Sequence, residues 1–489
     1  MSGGFEAIAI GLSVLMHLTW NLIARHQPRD AEPLWWVLLG QLVLVAPPVR
    51  RPAPIAYARN LCTLCRNRHN LATTTVVGKF ASNTGSLPSV TFPMKGRTVV
   101  LGALNLLVAL GLGRFLFSMS APLMHEHFRM SFTRIGVLAS LILLGYLSFS
   151  YLGGVALHRF RRKSVLTLAL ACMVVAFLVP AVSSHFGLLC VGFFLVGSAA
   201  GTIYMSIFPV VSEFIPDHRY GTYMGMIFTG AGLGIVLISG AVQGALASHA
   251  GFHLLWACSA GAAVFALIAN GLFFQPSPQD ATGTPPPRLY RNAWAVLLRD
   301  PFLRAVTVSY FFYGASYASF LTYIFAYIAE AGRTAAGTAG GAGPWLIFGT
   351  LSIVSTLAWG WASDRAELRK LLVCNYLLTT MAIGVAVAFR SSSGLMLSLA
   401  LYSLCFFGYI MVIGGAIVKA TGSLSSVFMG KITLIHTIGQ VAGALGGGMA
   451  RDHTGSFTDV FVFSLATLLV SSALFMAAPA GMAPRMQTQ

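Results

Sequence analysis

Apolar residues arrive in this chain in blocks of roughly 20, the length of helix that crosses a hydrocarbon layer about 30 Å thick. In hydrocarbon every backbone N–H and C=O must bond within the protein, so only helices or closed barrels can span it. The blocks lack the in–out alternation of barrel strands. They therefore predict an all-α membrane protein. Fourteen spans follow, at 5–24, 33–49, 98–122, 135–157, 164–182, 186–210, 220–246, 252–274, 302–329, 344–362, 369–389, 394–418, 425–449 and 457–478. Only 9% of residues are charged, against about 25% in soluble domains, which excludes a water-facing surface over most of the chain.

The formal charge of +18 invites a nucleic-acid reading, but the placement of the charge argues against it. With the first residue inside, the cytoplasmic segments hold 23 Lys and Arg and the outer loops seven, with Arg114 alone inside a span. That bias is the positive-inside rule, so basicity orients the chain, with both termini cytoplasmic. The opening residues do not read as a secretory signal, because Glu6 replaces a basic start and the apolar stretch is too long. Of seven cysteines, Cys172, Cys190, Cys258, Cys374 and Cys405 sit in spans as small apolar residues. Cys62-x-x-Cys65 with His69 is half a zinc site at best, and His125 and His127 beside Glu126 lack a ligand pattern, so no metal or cofactor is expected.

The body repeats. Residues 98–274 and 302–480 each hold six spans, and the first spans start 204 residues apart. Gly154-Val-Ala-Leu-His158-Arg159 matches Gly360-Trp-Ala-Ser-Asp364-Arg365 at a shift of 206, and His249-Ala-Gly251 matches His453-Thr-Gly455 at 204. Three landmarks in register argue for duplication, and parallel six-span repeats build transporters that bind solute between their halves. Segment 275–301 reads as a cytoplasmic linker, 481–489 as a cytoplasmic tail, and basic 50–97 as a poorly ordered cytoplasmic loop.

Gly-x-x-x-Asp-Arg followed by basic residues, in the loop after the second span of each half, resembles the loop motif of the major facilitator superfamily. Gly111-Leu-Gly113-Arg114-Phe115, Gly230-Ala-Gly232-Leu-Gly234 and Gly439-Gln-Val-Ala-Gly443 resemble its bacterial YbfB-like branch, over about 98–480. The resemblance implies a 12-helix major facilitator fold of two six-helix bundles in the inner membrane, working as a monomer that carries a small-molecule solute by alternating access. It also implies gating roles for Gly154, Arg159, Gly360, Asp364 and Arg365. Two departures stand out: His158 fills the first-half Asp slot and Arg161 a Gly slot, and Phe193 replaces the Arg usual in the fourth span. Residues 1–49 fall outside this pattern. His17-Leu-Thr-Trp20-Asn21 with Leu34-Trp35-Trp36 resembles the opening of an EamA-type drug/metabolite transporter, and so reads as two extra transmembrane helices, either a fused gene start or an accessory pair.

Arg114 is the sharpest site candidate. An ionised residue inside a span costs about 2.5–3.5 kcal/mol on insertion scales and usually faces a cavity or partner. A guanidinium grips carboxylates bidentately, which favours an organic anion; the competing reading is a side chain snorkelling outward. All 13 acidic residues fall in loops or at span ends, so a co-transported proton would need His436, which otherwise reads as a neutral histidine bonding a neighbouring helix. Tyr310, Tyr313 and Tyr317 share one helical face by spacing, either lining a cavity or packing. Asn105, Tyr204 and Gln440 are further candidates for that cavity. Glycines spaced by four, such as Gly221/Gly225, Gly230/Gly234 and Gly443/Gly447, permit close helix approach; the resemblance implies a sliding seam between halves, the alternative being plain packing. Asp364 reads as a latch onto a helix N-terminus or as a solvated loop charge. Competing functions are efflux of hydrophobic drugs and a non-transporting membrane sensor; no nucleophile–base pair suggests an enzyme.

Overall fold

Helix after antiparallel helix is what runs of apolar residue broken by short polar turns produce. The computed structural model describes residues 94–130, 132–215, 217–246, 251–274, 293–336, 343–421 and 425–478, all in the unit Met94–Gln489. The expected pair of spans in 1–49, the basic loop up to 93, most of the linker and the tail from 479 lie outside the described residues.

Every regular element among the described residues is helical. The first rod is α1 (Met94–Leu106), a π-helical segment (Leu107–Phe115) and α2 (Leu116–Phe128). Then come α3 (Phe132–Arg159), α4 (Arg162–Val182), α5 (Phe186–Phe214), α6 (Tyr220–Leu246) and α7 (Gly251–Phe273). After a short α8 (Ala293–Arg299) follow α9 (Pro301–Ala336), α10 (Gly343–Ser363), α11 (Leu368–Ala388), α12 (Ser392–Thr421), α13 (Ser425–Thr454) and α14 (Phe457–Met476). Among the described residues, ten helices are long and apolar enough to cross a membrane. The long helices α9 and α13 fall outside that set, and they carry Arg304, Glu330, Lys431 and Arg451.

Small residues set how the helices meet. Lipid tails are as apolar as leucine, so helices associate through close contact and hydrogen bonds rather than by escaping water. Helices α6 and α10 run antiparallel in backbone contact over most of their length. A methyl added at Gly225 would lie 2.5 Å from the Thr356 carbonyl oxygen, and one at Gly349 would lie 3.0 Å from the Val236 nitrogen. Helices α3 and α13 meet in the same way, with Gly154 against the Ser426 carbonyl and Gly430 against that of Ser150. Inside each group, polar side chains bond across helices. Asn105 and Asn270 exchange amide hydrogen bonds of 3.1 and 2.7 Å between α1 and α7. Ser309, Tyr376, Tyr409 and Ser471 form a buried hydroxyl network joining α9, α11, α12 and α14.

The helix starts and stops have local causes. Pro301 opens α9, where its missing N–H costs nothing, and the Asp300 carboxylate accepts from the Leu303 amide at 2.8 Å as an N-cap. Gly455, at φ +68°, lies in the left-handed region that only glycine adopts freely, and its amide bonds back to the Arg451 carbonyl at the end of α13. Part of the linker segment is helical, as α8. Lys431 lies inside α13 and is 4% exposed, where Gly430 beside it lets α3 come close.

Replacing Gly225 with valine should destabilise the protein by about 1–3 kcal/mol, the usual cost of overpacking. Gly384→Ala, where an added methyl meets nothing within 4 Å, should leave stability nearly unchanged. Thermal unfolding in detergent reads both, and equal midpoints for the two variants would contradict the contact described for α6 and α10.

Candidate functional site

The π-helical stretch Leu107–Phe115 carries Arg114 on its last turn. Such stretches are rare, and they concentrate at functional sites. Here Gly111 and Gly113 let the segment press into the group: a methyl on Gly111 would come within 2.7 Å of the Gly234 Cα on α6. The segment is buried apart from Arg114, which is half-buried and faces a small cavity.

Residues from both helix groups line that cavity, among them Arg114, Tyr146, Tyr204, Tyr310, Tyr317 and His436, with Phe228, Phe406 and Phe407 as apolar wall. The guanidinium donates to the Gln440 side-chain oxygen on α13. Its centre lies 5.0 Å from the Tyr146 ring and 5.7 Å from that of Tyr317, within cation–π range. A guanidinium has five N–H donors, and no ion pair to Arg114 exists among the described residues. The ion pairs described there, Lys370–Glu367 and Arg451–Glu330, lie elsewhere, on α11 and between α13 and α9. The result is a cation surrounded by neutral oxygen and ring faces, which favours an incoming anion.

His436 packs flat on Tyr310, with ring centres 4.0 Å apart and planes 12° apart. Its Nδ1 lies 3.0 Å from the Tyr310 carbonyl. A carbonyl only accepts, so Nδ1 carries the hydrogen, leaving Nε2 as the atom able to accept a proton. At one end, Phe115, Phe348 and the stacked pair Phe325 and Trp345, 3.6 Å between centres, close the space. On the other side stand the two glycine seams. The space left is about 20 Å³, room for about one water molecule.

Six of the eight sequence candidates gather here: Arg114, Tyr204, Tyr310, Tyr317 and His436 in the lining, and Gln440 on the guanidinium. Tyr313 does not join them. At 100° per residue it points about 40° away from Tyr317 and 60° from Tyr310, and its ring stacks on Tyr409 at 3.7 Å instead. Nor does Asn105. Paired with Asn270, it lines a separate space with Arg97, Leu101, Ser206 and Phe273. Tyr146 is a cavity residue the sequence reading missed; its one signal is a polar aromatic in mid-span beside a glycine, too common in this chain to select.

At the end of α10, the Asp364 carboxylate accepts from the Gly221 amide at 2.7 Å, the Thr222 amide at 2.8 Å and the Thr222 hydroxyl at 2.6 Å. These amides are among the unpaired donors of a helix N-terminus, where a negative charge is also favoured by the dipole. Gly360 makes room, its added methyl lying 2.6 Å from the Gly221 carbonyl oxygen. Arg365 stays on its own helix, 4.3 Å over the Trp361 ring. In the first group Gly154 holds the equivalent close approach, while the side chains of His158 and Arg159 lie outside the described ones.

Comparison with known proteins places this architecture. The family model described as "Uncharacterised MFS-type transporter YbfB" matches residues 106–477. The hexuronate transporter of Bacillus subtilis (strain 168) is 32% identical over 138 residues, covering 28% of this chain and 32% of that protein. The uncharacterized MFS-type transporter YceJ of the same organism is 26% identical over 221 residues, 44% of this chain and 55% of that one. The matched stretches thus span about a third and about half of these relatives. Among solved structures, the major facilitator transporter FucP in the outward conformation has a TM-score of 0.61 at 14% identity, covering 78% of this chain and 97% of FucP. The human organic anion transporter MFSD10 (TETRAN) has a TM-score of 0.63 at 16% identity, covering 78% and 99%. With a family model spanning the helices and a fold shared with these carriers, the chain belongs to the YbfB-like family of major facilitator superfamily transporters and is a multi-pass membrane transporter, not an enzyme.

Proposed function

We propose that this transporter is a secondary carrier of a small organic anion, and that Arg114 is the group that holds the anion's carboxylate. The observation that carries the reading is a guanidinium in a closed, aromatic cavity with a neutral amide as its hydrogen-bond partner. Such a site repels a lipophilic cation, which weighs against efflux of cationic drugs. The relative named for hexuronate, an acidic sugar, supports the same class of solute.

The two halves, 98–274 and 302–480, supply six bilayer crossings each, and rock about the cavity in a monomer. The polar residues that lower the hydropathy of α9 and α13 are then those of crossings that line a water-filled path. Arg114 belongs to the first half and Gln440 to the second, so their bond ties the halves together across the cavity. An arriving carboxylate competes with Gln440 for the guanidinium, and loosening that tie couples binding to movement. Where a proton travels with the solute, His436 Nε2 is its carrier. Asp364 acts as a cytoplasmic latch, holding α10 to the first turn of α6. The placement of basic residues orients both termini to the cytoplasm of a bacterial inner membrane. Transport is performed by the two halves and not by residues 1–93.

Five measurements test this reading. Proteoliposomes should take up radiolabelled glucuronate or benzoate in preference to a lipophilic cationic dye. Arg114→Lys and Arg114→Gln should each lower anion uptake at least about tenfold, the scale of a lost charge-assisted bond, with normal insertion; wild-type uptake in both sinks the anion site. An inside-alkaline gradient that fails to accelerate uptake removes the proton role of His436. Asp364→Asn should speed hydrogen–deuterium exchange of amides 221–224 about tenfold, since a carboxylate bonded to N–H groups is replaced by a neutral amide; unchanged exchange contradicts the latch. A chain beginning at Met94 should insert and transport like the full chain, and inactivity despite insertion would show that the upstream residues take part.

A further inference from the structure

The two seams between the halves are built alike but closed differently. On one, Asp364 reaches the N-terminus of α6. On the other, the matching position is His158, a residue without a fixed negative charge. What this second seam has instead is a buried cation. Lys431, one residue beyond the Gly430 contact with Ser150, is 4% exposed, and its Nζ lies 4.6 Å from the ring centres of both Tyr151 and Trp294. The two rings are 6.4 Å apart at an interplanar angle of 36°. No carboxylate among the described residues lies within ion-pair distance of it.

These three residues come from three elements with distinct attachments. Tyr151 is on α3, in the first half; Lys431 is on α13, in the second. Trp294 is on α8, whose Ala293 and Leu297 are buried, and which runs into α9 through the Asp300 cap. When the halves part at this end, Tyr151 leaves with α3, while Trp294 and Lys431 remain together on the second half. The ammonium must then exchange one ring face for water.

We propose that Lys431, held in position by Trp294 of the linker helix, latches the α3–α13 seam by binding the ring face of Tyr151, and that this contact does the work of the carboxylate absent at position 158. The latch goes beyond solute choice but rests on the alternating movement proposed above. It makes the linker helix part of the gate. A change that pulls Trp294 away therefore loosens the seam without touching the solute cavity. The contact is neutral–cationic and buried, so added salt weakens it far less than it would an exposed ion pair.

The test uses the full chain in lipid nanodiscs, with its seven cysteines replaced by serine and a reporter at Ser426→Cys, buried on α13 where its carbonyl meets Gly154 of α3. The initial rate of maleimide labelling reads how often the seam opens. Lys431→Met and Tyr151→Leu should each raise it about tenfold, and the double variant should label no faster than either alone. Lys431→Arg and Tyr151→Phe should stay within about threefold of the parent, since cation and ring face are kept. Trp294→Leu should raise the rate when Lys431 is present and leave it unchanged in the Lys431→Met background. The proposal is overturned by parent-like labelling in Lys431→Met or Tyr151→Leu, by labelling in Lys431→Arg as fast as in Lys431→Met, or by multiplicative effects in the double variant. Should Lys431→Met fail to fold, the contrast between Tyr151→Leu and Tyr151→Phe decides the matter alone. No solute enters the assay, so its outcome is independent of whether Arg114 binds an anion.

Discussion

Close backbone approach between helices is the constraint on which everything else in this molecule rests. In hydrocarbon, apolar side chains gain nothing by leaving lipid for one another, so helices stay together where small residues let many atoms touch. Gly221, Gly225 and Gly232 on α6 meet Gly349, Thr356 and Gly360 on α10 in that manner. Such a surface is smooth. It has few interlocking side chains to resist sliding, so a pair of helices can pack tightly and still move past each other. What then fixes one arrangement over another is a small number of directional contacts at the ends of the seam.

The proposed anion site follows the same logic. Burying a charge is costly unless it is paired, and a fixed carboxylate beside Arg114, which none of the described residues supplies, would neutralise the site and leave nothing for an anion to do. Gln440 and the faces of Tyr146 and Tyr317 offer the guanidinium enough to be tolerated, and less than an anion offers. The partners are also split between the halves. A bond that is strong within one half would leave the cavity indifferent to movement, whereas one between halves would change with the rocking proposed above.

How far the sequence reached follows from how local each feature is. Span positions depend on about 20 successive residues, so the helices of the body came out within seven residues of their observed ends. Arg114, Asp364 and the spaced glycines were visible because each breaks the chemistry of its surroundings. Neighbour relations were not visible. Tyr313 shares a helix face with Tyr310 by spacing, yet the side it turns to depends on Tyr409, some 96 residues away on another helix. Asn105 found Asn270 rather than the cavity for the same reason. The π-helical turn before Arg114 had no signature beyond Gly111 and Gly113, and Lys431 looked like an ordinary flanking charge because burial there is supplied by α3 and α8.

Duplication gives two copies of every part, and the copies need not keep the same chemistry. The carboxylate of Asp364 bonds to main-chain amides, which any sequence at the start of α6 would present; that contact constrains one residue and leaves its partner free. A lysine between two rings constrains three side chains on three elements. The second arrangement is easier to lose by substitution, but it ties in a segment that the first cannot reach, namely the helix leading from one half into the next. With one main-chain latch and one side-chain latch, as proposed, the seams would be unequal, and the seam joined to the linker would be the one that events at the linker could influence.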